Sequence, residues 1–83
     1  MGRISREKPK RLGEKLHQIR VKLGLSQNQM LKELGLSDKV FRSAISGYEL
    51  GTREPSLLIL LEYARLAGVS TDVLIDDKLK LPE

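Results

Sequence analysis

Leu12, Leu16, Ile19 and Leu23 recur at i, i+4, i+7 and i+11, one apolar stripe that predicts a helix over residues 10–23. Gly24 is placed to end it in a left-handed cap. Ser26 then reads as the N-cap of a second helix that starts at Gln27, turns Met30, Leu31 and Leu34 inward and stops at Gly35. Ser37 opens a third. In it Phe41, Ala44, Ile45 and Tyr48 fall at i, i+3, i+4 and i+7 and share a buried face, before Gly51 closes the helix. Ser56 caps a fourth helix that reaches about Ala67, with Leu57, Leu60, Leu61 and Ala64 as its core stripe and Gly68 at its end. Ser70 caps a short fifth over residues 71–76, carrying Val73, Leu74 and Ile75. The alternation of Lys78, Leu79, Lys80 and Leu81 suits either a short strand or a loose end. The expectation is an all-α domain of five helices.

Eighty-three residues make one small domain in which most apolar side chains are needed for packing or for an interface. The chain is expected to divide into a basic arm (1–9), a helical domain (10–76) and a tail (77–83). With no cysteine, disulfides and thiolate metal sites are excluded, and the single histidine, His17, makes no metal site alone and reads as a surface residue. No apolar run reaches the roughly 20 residues of a membrane span and no signal peptide is seen, so a cytoplasmic protein with no membrane partner is expected. Scattered acids and the lack of a Gly-rich phosphate loop argue against an enzyme, and no cofactor is expected.

Charge changes the picture. Residues 1–23 carry eight Lys/Arg against two Glu, and residues 24–83 carry seven against nine Asp/Glu, so a net of +6 meets a net of −2. A basic end on a mildly acidic domain suits either a polyanion partner or a solvated tail. Arg3 and Arg6 lie in the arm, which Pro9 keeps from helix and which suits tracking a DNA backbone or minor groove.

The second and third helices read as a helix-turn-helix, in which the first helix steadies the second against DNA. The outer face of the third holds Lys39, Arg42, Ser43, Ser46 and Gly47, with two cations and no bulky apolar group. Such a face suits a major groove about 12 Å wide, where arginine pairs with guanine and serine meets a base edge or a phosphate. The plain alternative is an ordinary polar helix surface. Gln27 and Asn28 stand at the positive start of the second helix, where a phosphate would be welcome and where ordinary capping would also suffice. Arg53 follows in the loop as a phosphate clamp or an exposed charge. Leu58 and Ile59 fall outside their helix's stripe and ask for a second contact. With Val73, Leu79 and Leu81 they are candidates for a dimer or partner surface, or for completing the core.

The order of LGLSQ at residues 23–27, LG at 34–35, AISGYELGTREPSL at 44–57 and LAGVS at 66–70 resembles the phage-repressor-like helix-turn-helix family, of XRE or Cro/repressor type. The likeness spans about residues 12–75. It implies a five-helix, lambda-repressor-like domain that binds double-stranded operator DNA, commonly as a homodimer. By position, Gln27 resembles the helix-two residue that touches phosphate. Arg42, Ser43 and Gly47 fall where members place base-reading side chains, Ser46 beside the backbone, and Arg53 on a phosphate-contacting loop position. Arg20 and Glu49 match positions where some members form an internal ion pair, and a structural role is implied for them.

Two features depart from the family. Ten positions separate Gly35 from Ile45, about four more than is usual and close to one 3.6-residue turn. The extra residues lie within 37–41 and lengthen either the turn or the recognition helix. The phase of Phe41 favours the helix. Leu31 also stands where members often keep a small residue. The sequence therefore points to a sequence-specific DNA-binding regulator, probed against one alternative: a protein-interaction module, antitoxin-like or adaptor, whose second protein partner covers the apolar surface.

Overall fold

The computed structural model describes residues 9–36 and 43–82, together with Arg42 as the first residue of its helix. Five helices follow in order: α1 (Leu12–Leu23), α2 (Gln27–Glu33), α3 (Arg42–Leu50), α4 (Leu57–Ala67) and α5 (Thr71–Ile75), with no strand among the described residues. The expectations for Ser37, Lys39 and Phe41, and with them the choice between a longer turn and a longer recognition helix, lie outside the described residues. So do Arg3, Arg6 and the side chain of Arg42.

Local chemistry sets most helix ends. Ser26 accepts the Gln29 N–H at 3.1 Å while the Gln29 side chain accepts the Ser26 N–H at 2.8 Å, a reciprocal capping box. Ser56 accepts from the Ile59 N–H at 3.2 Å. Ser70 takes the N-cap position of α5 without a side-chain hydrogen bond. At their far ends α1, α2, α3 and α4 each run into a glycine with φ between 70° and 81°. The next residue's N–H then reaches back: Leu25 to Arg20 O, Leu36 to Leu31 O, Thr52 to Gly47 O and Val69 to Ala64 O. Only glycine enters this left-handed conformation without a steric cost.

The helix expected from residue 10 begins instead at Leu12, because no side chain at Pro9, Lys10 or Arg11 caps it. The cap comes from the opposite end of the chain: the Asp77 carboxylate accepts the N–H groups of Lys10 at 2.9 Å and Arg11 at 3.0 Å. Those hydrogen bonds hold the Asp77 carboxyl below its ordinary range. A second long-range tie is Lys15, which is buried and donates its ammonium to the carbonyls of Val73 at 2.7 Å and Asp76 at 2.9 Å. There it satisfies the open C-terminal end of α5, where a cation is favoured.

The core joins Leu12, Leu16 and Ile19 of α1 to Met30 and Leu31 of α2 and to Leu34. Ala44, Ile45 and Tyr48 of α3, Leu60, Tyr63 and Ala64 of α4, and Leu74 of α5 complete it. Helix α1 is central: it packs on α3, α4 and α5, while α2 packs on α3. Three expected core residues are not there. Leu23 is 41% exposed and Leu57 is 78% exposed, each at the extreme end of its helix, and Leu61 is only half-buried. Tyr63 takes the buried place on α4 instead.

Of the expected contact residues, Leu58 and Leu79 are exposed, whereas Ile59 and Leu81 pack partly against the core and Val73 is half-buried. The tail forms no strand. It turns after Asp76 and lies against the helices through Leu81, and Lys22 donates to Pro82 O at 3.0 Å.

Candidate nucleic-acid interface

The polar centre of the molecule is a bidentate pair between α1 and α3. Arg20 Nε donates to Glu49 Oε2 at 2.6 Å and Nη2 to Oε1 at 3.0 Å, while Nη1 reaches the Leu25 carbonyl at 2.9 Å. One guanidinium thus fixes the end of α3 to α1 and to the turn that leads into α2. Both side chains are largely buried, at 15% and 7% exposure, so the fork geometry holds them better than a surface pair would. The hydrogen bond that Arg20 donates to Glu49 raises the Arg20 pKa despite burial. Burial opposes the Glu49 charge, but the bonds from Arg20 and His17 outweigh it and hold that carboxyl below its ordinary value. His17 Nδ1 lies 3.0 Å from Glu49 Oε1 and makes this a three-residue cluster. Behind it, burial and the nearby Glu49 push the phenol of Tyr63 well up, and its hydroxyl has no hydrogen-bond partner among the described residues.

Next to this cluster a cleft of about 460 Å³ opens, lined by Glu14, His17 and Arg20 of α1, Gln27 of α2, and Ser46, Glu49 and Leu50 of α3. Gln27 and Ser46, read from sequence as neighbours of a DNA backbone, therefore share one surface. Ser43 and Asn28 are exposed nearby on the same two helices.

Gly47 is not where periodicity put it. It is buried, and a Cβ added there would lie 2.8 Å from both Cγ and Cδ of Arg53. The stem of Arg53 is folded over the glycine, and the Arg53 N–H donates to Gly47 O at 3.2 Å. Arg53 thus emerges along α3 rather than from a free loop. A helix-period reading cannot see a loop side chain that covers a helix position.

Sequence reasoning missed Gly13. A Cβ there would lie 2.6 Å from Glu49 O and 2.8 Å from Tyr48 O, so α1 and α3 meet at backbone distance beside the ion pair. It also treated His17 as bare surface, although its three-residue offset from Arg20 places both on one helix face.

A short second helix braced against a third, with a polar face shared between them, defines a helix-turn-helix protein. A helix-turn-helix family model matches residues 16–74, and the chain belongs to that family. It is 38% identical over 63 residues to the SPbeta prophage-derived uncharacterized HTH-type transcriptional regulator YonR of Bacillus subtilis (strain 168), a match covering 76% of this chain. The chain spans 55% of that relative's length. Among solved structures it resembles the P22 c2 repressor protein in complex with synthetic operator 9T, with a TM-score of 0.68 and 30% identity over 80% of this chain and 94% of that one. The five-helix fold and the family expected from sequence are thereby established. Among the described residues no helix is long and apolar enough to cross a membrane.

Proposed function

We propose that this chain is a sequence-specific DNA-binding transcriptional regulator that acts as a homodimer on a palindromic site. The observation that carries this reading is the single cleft shared by Gln27 and Ser46, set over the Arg20–Glu49 pair that fixes the angle between α1 and α3. A preset polar face lowers the ordering cost of docking on a duplex. The operator complex of the P22 c2 repressor and the regulator description of the Bacillus relative support it.

In this reading Gln27, Asn28, Arg53 and the arm residues Arg3 and Arg6 meet phosphates and supply salt-dependent affinity. Arg42 and Ser43, with Lys39, read base edges, and Ser46 lies against the backbone. A two-fold dimer sets its recognition helices about 34 Å apart. Its apolar contact is Leu57 and Leu58, which are 78% and 75% exposed on the first turn of α4, with Leu79 of the tail. The same exposed leucines support the second reading, a module covered by a different protein. The two part on whether the isolated chain dimerises through Leu58.

Selection from random duplexes at physiological salt tests the proposal. The expected result is a palindromic motif. Arg42→Ala should lose about 1–3 kcal/mol at particular base positions, while Arg53→Ala weakens all sequences alike and lowers the salt slope by about one. Weak, sequence-blind binding would remove the support for α3 as a recognition helix.

A further inference from the structure

We propose that His17 is a phosphate-binding residue of the DNA site and that it serves only as an imidazolium, so that DNA binding takes up a proton. This rests on the DNA-binding reading above.

The argument starts from which nitrogen holds the hydrogen. Glu49 is ionised, since Arg20 and His17 hold its carboxyl below the ordinary value, and a carboxylate only accepts. The 3.0 Å contact from His17 Nδ1 to Glu49 Oε1 therefore needs the hydrogen on Nδ1. Arg20 Nη2 stands 3.4 Å from the same nitrogen, while one of its two N–H groups goes to Glu49 Oε1 at 3.0 Å; the shorter His17–Glu49 contact decides the tautomer. In neutral His17 the remaining nitrogen, Nε2, is then a bare lone pair. A lone pair repels a phosphate oxygen. Adding one proton turns Nε2 into a charged donor while Nδ1 keeps its bond to Glu49.

The surrounding charge points the same way. His17 is 52% exposed and lines the cleft that holds Gln27 and Ser46. The charged groups on that cleft are Glu14 and Arg20 from α1 and Glu49 from α3; α2 contributes only neutral Gln27. From α4, Tyr63 lies behind Glu49 and stays neutral, its phenol pushed up by burial. With His17 neutral the lining sums to −1, which disfavours a phosphate. With His17 protonated it sums to zero, and the new donor sits on the open side. Histidine is the side chain type whose charge most readily changes near neutral pH.

The test uses the full chain and the duplex recovered by selection, at fixed ionic strength from pH 5.5 to 8.5. Wild-type affinity should fall as pH rises, by no more than about tenfold per pH unit, the limit for one linked proton. His17→Gln should bind with a flat profile matching the wild type at high pH, and His17→Arg should stay tight throughout. His17 is the single histidine of the chain, so its ring resonance is unambiguous, and its titration midpoint should move up when DNA is added. A His17→Gln profile as steep as the wild type, or a wild-type profile that is flat while binding stays specific, overturns the proton link and leaves the DNA reading intact. No binding to any duplex at any pH overturns both. Thermal melts of each variant confirm folding, which an exposed position should tolerate.

Discussion

Gly13 shows how one missing carbon sets the geometry of the site. Its Cβ position is 2.6 Å from the Glu49 carbonyl oxygen, and that neighbour is backbone, which cannot rotate away. Gly13→Ala gains about 1 kcal/mol in helix propensity. Against this stands an overpacking cost of about 1–3 kcal/mol, and steric cost wins because α3 must move as a body. The expected outcome in urea denaturation is a net loss of stability. DNA affinity should weaken with it, since Glu49 and Arg20 shift out of register. An alanine variant as stable as the wild type would show that α1 and α3 have more slack than these distances allow. Gly24 makes the contrast: a Cβ there meets nothing within 4 Å, and its φ of 72° is the whole reason for glycine.

Two serines at helix starts should behave differently. Ser26 sits in a reciprocal capping box and Ser70 makes no side-chain cap bond. Ser26→Ala is therefore expected to lose about 0.5–2 kcal/mol by thermal melting, and Ser70→Ala much less. Equal losses would mean that the box adds nothing. Helix order was legible because serine stands before α2, α4 and α5 and glycine follows α1, α2, α3 and α4. The same periodicity failed at run ends: it gives the angle of Leu23 or Leu57 around its helix, not whether a neighbour reaches that far along it. It also passed over Lys15, although Lys15 stands between Leu12 and Leu16 on the buried face; a long aliphatic stem with a charged tip satisfies both. Gly47 escaped it because its cover comes from a loop. The Arg20–Glu49 pair spans 29 residues and the Asp77 cap spans 66 and 67, so no local pattern marks them. The pair was reachable only through the family likeness, and the cap by nothing in the sequence.

These long-range polar ties all meet on α1 or its first turn, and two of them depend on carboxylates held below their ordinary values. Glu49 ties α3 to α1, and Asp77 ties the chain's end to the start of α1. Their sign fixes how stability follows pH. An unfolded Glu49 carboxyl titrates near its ordinary 4.5 and the folded one lower, so below 4.5 the unfolded chain binds the proton first. Its stabilising contribution is complete above the unfolded value and is lost as pH falls through the folded one. Asp77 acts likewise below its ordinary 3.8, but more weakly, because it is open to solvent that screens it. The unfolding free energy should thus decline on the acid side, beginning below about pH 5 with Glu49. Glu49→Gln should lose roughly 1–3 kcal/mol at pH 7, where the Arg20 guanidinium is left without its counter-charge. The same variant should show a shallower acid limb, because the group whose proton uptake drove it is gone. Asp77→Asn should leave that limb nearly as steep as in the wild type. If denaturation across pH 3–7 showed Glu49→Gln with an unchanged acid slope, the fork between α1 and α3 would not be what sets the packing of α3, and the polar face built on it would have to be held by the apolar contacts of Tyr48 and Ile45 alone.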